Sequence, residues 1–247
     1  MEGNKNTMNA KNMLDVRGLT KKYEKFKLDN INFSLETGKI TGLIGANGAG
    51  KSTTMKLLLR IIEPDSGDIV FQGENIAKNK RMLYKENIGY VGENMDFFSK
   101  CQLKDIKKFY KSFYSAWDEN YYKMLFEKFN LNRTYKIMEL SKGMRMKFNL
   151  CLALSHSPQL LLLDEPTSGL DPLVRNEILN ILKNYVERSK SSVLFSSHIT
   201  EDMTKIADDL LFINQGKIIE RCETKKLLAK GYEIDGYLEN LVNNKEI

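Results

Sequence analysis

The sequence predicts an α/β fold with a helical lobe inserted into it, and three observations predict it. The runs KITGLI, LLLLD and SVLFSSH read as strands, the last two fully buried because their apolar character is unbroken. The first of them, Lys39 to Ile44, leads into a glycine-rich loop, after which Met55, Leu58, Leu59 and Ile62 fall at helical spacing. Between the early and late strands, Lys104 to Phe129 reads as helix and is unusually aromatic.

The order of the elements follows from local signals. EPDSG ends the first helix in a turn, and DIVFQG and NIGYVG read as strands on either side of a lysine-rich loop. From about Asn94 the texture turns helical. Phe109, Phe113 and Trp117 step by four, as do Tyr110 and Tyr114, and Tyr122, Phe126 and Phe129 continue in steps of four and three. Most of these rings are expected in the core of a small lobe, with a minority open to docking. LSKGMRMKF, Leu140 to Phe148, starts a helix with Ser141 as N-cap and Lys142-Gly143-Met144 as its first turn. A glycine in a first turn costs helix propensity, so it should serve another purpose. His156, at a helix end, is expected to cap carbonyls there. The lobe ends near Pro158, the α/β pattern returns, and LLFINQGKII reads as a hairpin turning at Gln215-Gly216.

Composition narrows the classes of function. The chain has 247 residues, 42% of them hydrophobic, enough for one large domain or one domain with a subsidiary lobe. No window approaches the roughly eighteen apolar residues of a membrane span, and the polar start lacks a signal-peptide core, so export is not expected. Cys101, Cys151 and Cys222 are widely spaced and read as free thiols in a reducing compartment. The net charge of +6 is spread through interleaved lysines and acids, and the densest basic run, Lys78 to Lys85, is short. No nucleic-acid partner is expected.

The chemistry concentrates in a few motifs. GANGAGKST matches GxxxxGK[ST] from Gly45 through Asn47, Gly48, Ala49 and Gly50 to Lys51, Ser52 and Thr53, in the required strand–loop–helix context. Backbone N–H groups of such a loop cradle phosphates. Lys51 is expected on the β- and γ-phosphates, and the Ser52 hydroxyl on Mg²⁺. In LLLLDEP, Asp164 ends a buried strand where a carboxylate orients Mg²⁺, and Glu165 follows as the expected general base for water. His198 ends another strand, from which an imidazole reaches a γ-phosphate.

GANGAGKST, LSKGM, LLLLDEP, SGLD (Ser168 to Asp171) and SSH occur in the order and approximate spacing of an ABC-type ATPase. Over roughly residues 12 to 225 the chain resembles the nucleotide-binding subunit of an ABC transporter. That resemblance implies a P-loop NTPase core with an inserted helical subdomain, about 94–157, an antiparallel β lobe, and a short tail at 226–247. It implies ATP and Mg²⁺ as cofactors and a place on the inner face of the cell membrane, held there by a separate transmembrane permease. The partner across the ATP is a second copy or a paralogous ATPase subunit. Tyr23 is similar to the aromatic that stacks on adenine. Ser141 and Gly143 resemble the signature residues that bind the γ-phosphate of ATP on the opposite subunit, and Asp171 the aspartate that joins the two sites. Glu93 stands where the family usually has a glutamine between the lobes, so it is expected to act in catalysis and on Mg²⁺. The signature also departs from the usual LSGGQ, with Lys142 and Met144 in place of glycine and glutamine. Both variants resemble a bacterial exporter subgroup. A runner-up is a soluble ABC ATPase serving metal-cluster assembly. Chromosome-associated relatives are excluded, because Lys51 to Ser141 leaves no room for a long coiled coil.

Overall fold

The computed structural model describes residues 12–79, 82–92 and 98–243. In chain order, β1 (Asn12–Lys22), β2 (Lys27–Glu36) and β3 (Ile40–Ile44) precede helix α1 (Lys51–Leu58). Next come β4 (Ser66–Phe71), β5 (Glu74–Asn75) and β6 (Ile88–Val91). The helical lobe holds α2 (Leu103–Lys111), α3 (Glu119–Lys128) and α4 (Lys142–Ser155). Then β7 (Leu160–Asp164), α5 (Pro172–Ser189), β8 (Ser192–Ser197), α6 (Thr200–Ile206) and β9 (Asp209–Asn214) follow. Last are β10 (Lys217–Glu223), α7 (Thr224–Ala229) and α8 (Ile234–Asn243).

Two sheets result. One is an antiparallel lobe in the order β2-β1-β4-β5, and the other a six-stranded sheet in the order β10-β9-β3-β8-β7-β6. From β9 to β6 the strands are parallel, and only β10 runs back against β9. β3 and β8 are buried along their whole length and β7 is buried up to Asp164, as the continuous apolar runs require of strands covered on both faces. Alternate residues then face two cores. Leu43, Leu160, Leu162 and Leu194 pack with α1 and the antiparallel lobe, while Ile44, Leu161, Leu163 and Phe195 pack with α4 and α5. The β9–β10 hairpin turns at Gln215 and Gly216, both at positive φ (45° and 74°), as a two-residue turn demands.

The helical lobe corrects one expectation. Lys104 to Phe129 is not continuous helix: α2 stops at Lys111, and α3 begins at Glu119. Neither proline nor glycine marks the break. The Ser112 hydroxyl donates to the Phe109 carbonyl at 2.6 Å, the Ser115 hydroxyl to Glu86 at 2.8 Å, and Asp118 caps α3 through the Tyr121 N–H at 2.9 Å. Local capping and tertiary contacts outweigh the aromatic periodicity. The rings divide accordingly. Tyr122 and Phe129 are buried, whereas Phe109 and Phe113 are 50% and 59% exposed and meet edge to face at 4.9 Å.

His156 also differs from its expectation. It ends α4, but its ring reaches out of the helix, with Nδ1 3.2 Å from the Glu86 carbonyl oxygen and the imidazole stacked on Tyr114 at 3.8 Å. Burial pushes its pKa down to about 4. The residues after Arg221, to which the sequence assigned no role, include α8, whose Tyr237 packs edge to face on Phe212 of β9 at 5.5 Å.

Candidate active site

The phosphate loop joins the buried end of β3 to the start of α1, so its shape is fixed at both ends. A side chain at Gly45 would overlap the Ile213 carbonyl, and Gly50 sits at φ 115° with the Leu28 side chain 2.9 Å from where a Cβ would stand. These two positions require glycine. The loop is backed by the β9–β10 turn, whose Gly216 N–H donates to the Ala49 carbonyl at 2.9 Å. Lys51 is only 6% exposed and folds back over the loop, its Nζ donating to the carbonyls of Gly45 at 2.7 Å and Ala46 at 3.3 Å.

A cavity of about 560 Å³ opens over this loop, lined by Asn47, Gly48, Lys51, Ser52, Thr53 and Glu165, with Lys25 and Phe26 as one wall. Tyr23, the expected adenine-stacking ring, stands beside that wall with its centroid 6.3 Å from that of Phe26. The aromatic that lines the cavity is Phe26, which sequence reasoning missed. Its signal was the second ring of the same YEKF turn.

The end of β7 carries two adjacent carboxylates, Asp164 and Glu165, and Glu165 lines the cavity over the loop. Asp164, at the end of β7, accepts a hydrogen bond from the Ser196 hydroxyl at 2.8 Å. Glu165 follows with φ 52°, a left-handed conformation uncommon outside glycine. Its N–H donates to Ser196 Oγ at 3.1 Å, which holds the turn. The Glu165 carboxylate then spans two partners: Oε1 is 3.1 Å from Lys51 Nζ, and Oε2 is 2.7 Å from His198 Nδ1. Lys51, Glu165 and His198, each singled out in the sequence, therefore form one contiguous chain. Such a carboxylate, held from both sides, has a fixed orientation beside the phosphate loop. The Ser52 hydroxyl and Asp164 carboxylate are hard oxygen donors, a set that fits Mg²⁺ bound together with substrate phosphates.

Ser141, Gly143 and Asp171 line no part of that cavity. They gather on another face. Ser141 caps α4 as expected, accepting the Met144 N–H at 3.2 Å. Asp171 caps α5, accepting from the N–H groups of Leu173 at 3.1 Å and Val174 at 3.0 Å. The two helix starts touch through Gly143, where a Cβ would stand 3.3 Å from Val174 Cγ1. This close approach accounts for a glycine in the first turn of α4. Lys142 lies across the SGLD loop, its ammonium 3.1 Å from where a Gly169 Cβ would be. Glu93 lies outside the described residues.

The family model described as ABC transporter matches residues 28–168. The chain belongs to the ABC transporter family. It is an ATP-binding, ATP-hydrolysing transporter subunit. Among its relatives, the ABC transporter ATP-binding protein YtrB of Bacillus subtilis (strain 168) is 30% identical over 232 residues, covering 94% of this chain and 79% of that one. The lantibiotic transport ATP-binding protein SrtF of Streptococcus pyogenes is 34% identical over 236 residues, covering 94% of this chain and 97% of that one. A solved ATP-binding subunit of an ABC transporter superposes with a TM-score of 0.83 at 25% identity, covering 93% of this chain and 99% of that one. The α/β core with its helical and antiparallel lobes is thus the ABC ATPase fold.

Proposed function

We propose that two copies of this chain close around two ATP molecules, each ATP held by the phosphate loop of one copy and the Ser141–Gly143 helix start of the other. The observation that carries this reading is the division of the site. Lys51 and Glu165 line the cavity over the phosphate loop, with His198 on the second oxygen of Glu165, while Ser141, Gly143 and Asp171 sit together outside it. A helix N-terminus with a hydroxyl and an approachable glycine amide suits a γ-phosphate.

In the closed pair, Lys51 pairs with the β- and γ-phosphates and the aromatic wall of Tyr23 and Phe26 receives the adenine. Glu165 accepts a proton from the water that attacks the γ-phosphorus, as the bond to the ADP oxygen breaks. His198 keeps the carboxylate in line. Ser52 and Asp164 would hold Mg²⁺, which would supply neutralisation of phosphate charge. Glu93 is assigned a supporting role on the metal and the attacking water. Loss of phosphate removes the bridge between the copies.

This cycle drives a separate membrane permease. Among the described residues no helix is long and apolar enough to cross a membrane, and the name of SrtF, a lantibiotic transport ATP-binding protein, supports a transporter, for which export is the direction we propose. The permease docks at the stretch Glu93 to Phe98. Of that stretch, Phe98 lies 5.6 Å from Phe109 and adjoins the exposed Phe109–Phe113 pair; residues 93–97 lie outside the described residues. The test is Glu165→Gln chain purified with ATP from detergent-extracted native membranes. An ATP-dependent dimer together with a multi-span membrane protein is expected. A strictly monomeric chain at saturating ATP, or soluble partners alone, overturns the reading.

A further inference from the structure

The segment carrying His198 is tied to the helix that Asp171 caps by an ion pair whose carboxylate is fully buried and whose guanidinium is partly exposed. Arg175 lies one turn into α5, where its N–H donates to the Asp171 carbonyl at 3.0 Å. Its Nη2 is 2.6 Å from Oδ1 of Asp202, and Asp202, on α6, is 0% exposed. The Asp202 N–H donates in turn to the carbonyl of Ile199, the neighbour of His198, at 3.3 Å. Lys205 of α6 adds a bond to Asn176 of α5 at 3.1 Å, and Glu201 stands 3.6 Å from Arg175.

As a stabiliser this pair is poor. Desolvating two charges offsets most of their attraction, and apolar side chains of similar volume often pack such a contact as well or better. Arg175 Nε and Asp202 Oδ2 are also buried without a hydrogen-bond partner among the described residues. What a charged contact supplies is directional registry between two elements. The elements joined here start at Asp171, whose neighbour Val174 abuts Gly143, and just after His198, whose ring is 2.7 Å from Glu165.

We propose that Arg175 and Asp202 are positioning residues for hydrolysis, seating His198 on Glu165 and linking that contact to the Asp171 face. The proposal rests on the roles given above to His198 and Glu165. Docking of a second copy at Asp171 then bears on the hydrolytic carboxylate of the same chain.

The test replaces the pair by apolar residues, Arg175→Met with Asp202→Leu, in the full chain. The expected result is an unchanged or higher melting temperature, a KM for ATP within about twofold and a kcat at least about tenfold lower. In a His198→Ala background the same two changes should add less than about twofold, because the positioned group is gone. Arg175→Lys, which keeps the charge, should restore most of the rate. Because the chain has two histidines, NMR of labelled histidine separates them, and the His198 resonance should move toward its position in Glu165→Gln while that of His156 stays. If the apolar pair fails to fold, Asp202→Asn removes one charge at nearly the same shape, and the same kcat loss is then required. Unchanged kcat, or a loss that multiplies fully with His198→Ala, overturns the proposal. A His198→Ala chain that hydrolyses at full rate removes the role of His198 itself, and the proposal with it.

Discussion

The Lys51 ammonium lies 3.1 Å from Oε1 of Glu165, so the cation of the phosphate loop and the carboxylate proposed as base face each other directly. A triphosphate entering the cradle competes with Glu165 for that ammonium. Binding and base positioning are therefore coupled through one side chain. Lys51→Ala removes both the attraction for phosphate and the counter-charge of Glu165. ATP affinity is expected to fall by about 1.5–3 kcal/mol, roughly ten- to a hundredfold, as for other charge-assisted contacts. Calorimetric titration with ATP measures it, and an unchanged Kd would refute the assignment.

Gly143→Asp tests the exposed face. A Cβ there already meets Val174 Cγ1 at 3.3 Å, and a carboxylate would repel phosphate. ATP binding to the isolated chain should be preserved, while hydrolysis falls at least about a hundredfold. Turnover at the parent rate would remove Ser141 and Gly143 from the composite site.

His156 makes stability depend on pH with a definite sign. Its pKa is lowered from 6.5 to about 4 by burial. Below pH 6.5 the unfolded chain takes up a proton that the folded chain refuses, so stability is lost as pH falls from 6.5 toward 4. Full passage through that window costs about 3 kcal/mol. Urea denaturation at pH 7 and pH 5, with His156→Gln as control, measures the slope. Equal slopes in the two proteins would exclude His156 as the source.

The exposed rings predict a separation of functions. Phe109→Ser with Phe113→Ser should leave ATP hydrolysis by the isolated chain within about twofold, since neither ring touches the cavity. Recovery of the chain with the membrane partner should drop at least tenfold, because buried aromatic anchors carry about 2 kcal/mol or more at interfaces. Pull-down from membranes decides it, and undiminished recovery would move the docking site elsewhere.

What was legible in the sequence was whatever is encoded locally. The strand–loop–helix around Lys51, the buried strand ending at Asp164, the cap at Ser141 and the Gln215-Gly216 turn each rest on a few adjacent residues, and each forms as read. The break between α2 and α3 escaped because it depends on Glu86, 29 positions away from its partner Ser115. The Arg175–Asp202 pair escaped for the same reason, as two polar residues on separate helices carry no mutual signal until the chain folds. Tyr23 matches a family pattern and Phe26 does not, yet it is Phe26 that lines the cavity, with Tyr23 beside it.

The strand order has a consequence for biosynthesis. β3, which carries the phosphate loop, is flanked by β8 and β9, and its loop is backed by Gly216. All three supports are made about 150 residues or more after β3 itself. At translation rates of about 5–20 residues per second, the apolar strand and its loop wait roughly ten to thirty seconds for their neighbours. The nascent nucleotide site therefore stays without its sheet partners until synthesis reaches β8 and then β9, at Ser192 and Asp209. During that interval the exposed apolar segment is a target for chaperones.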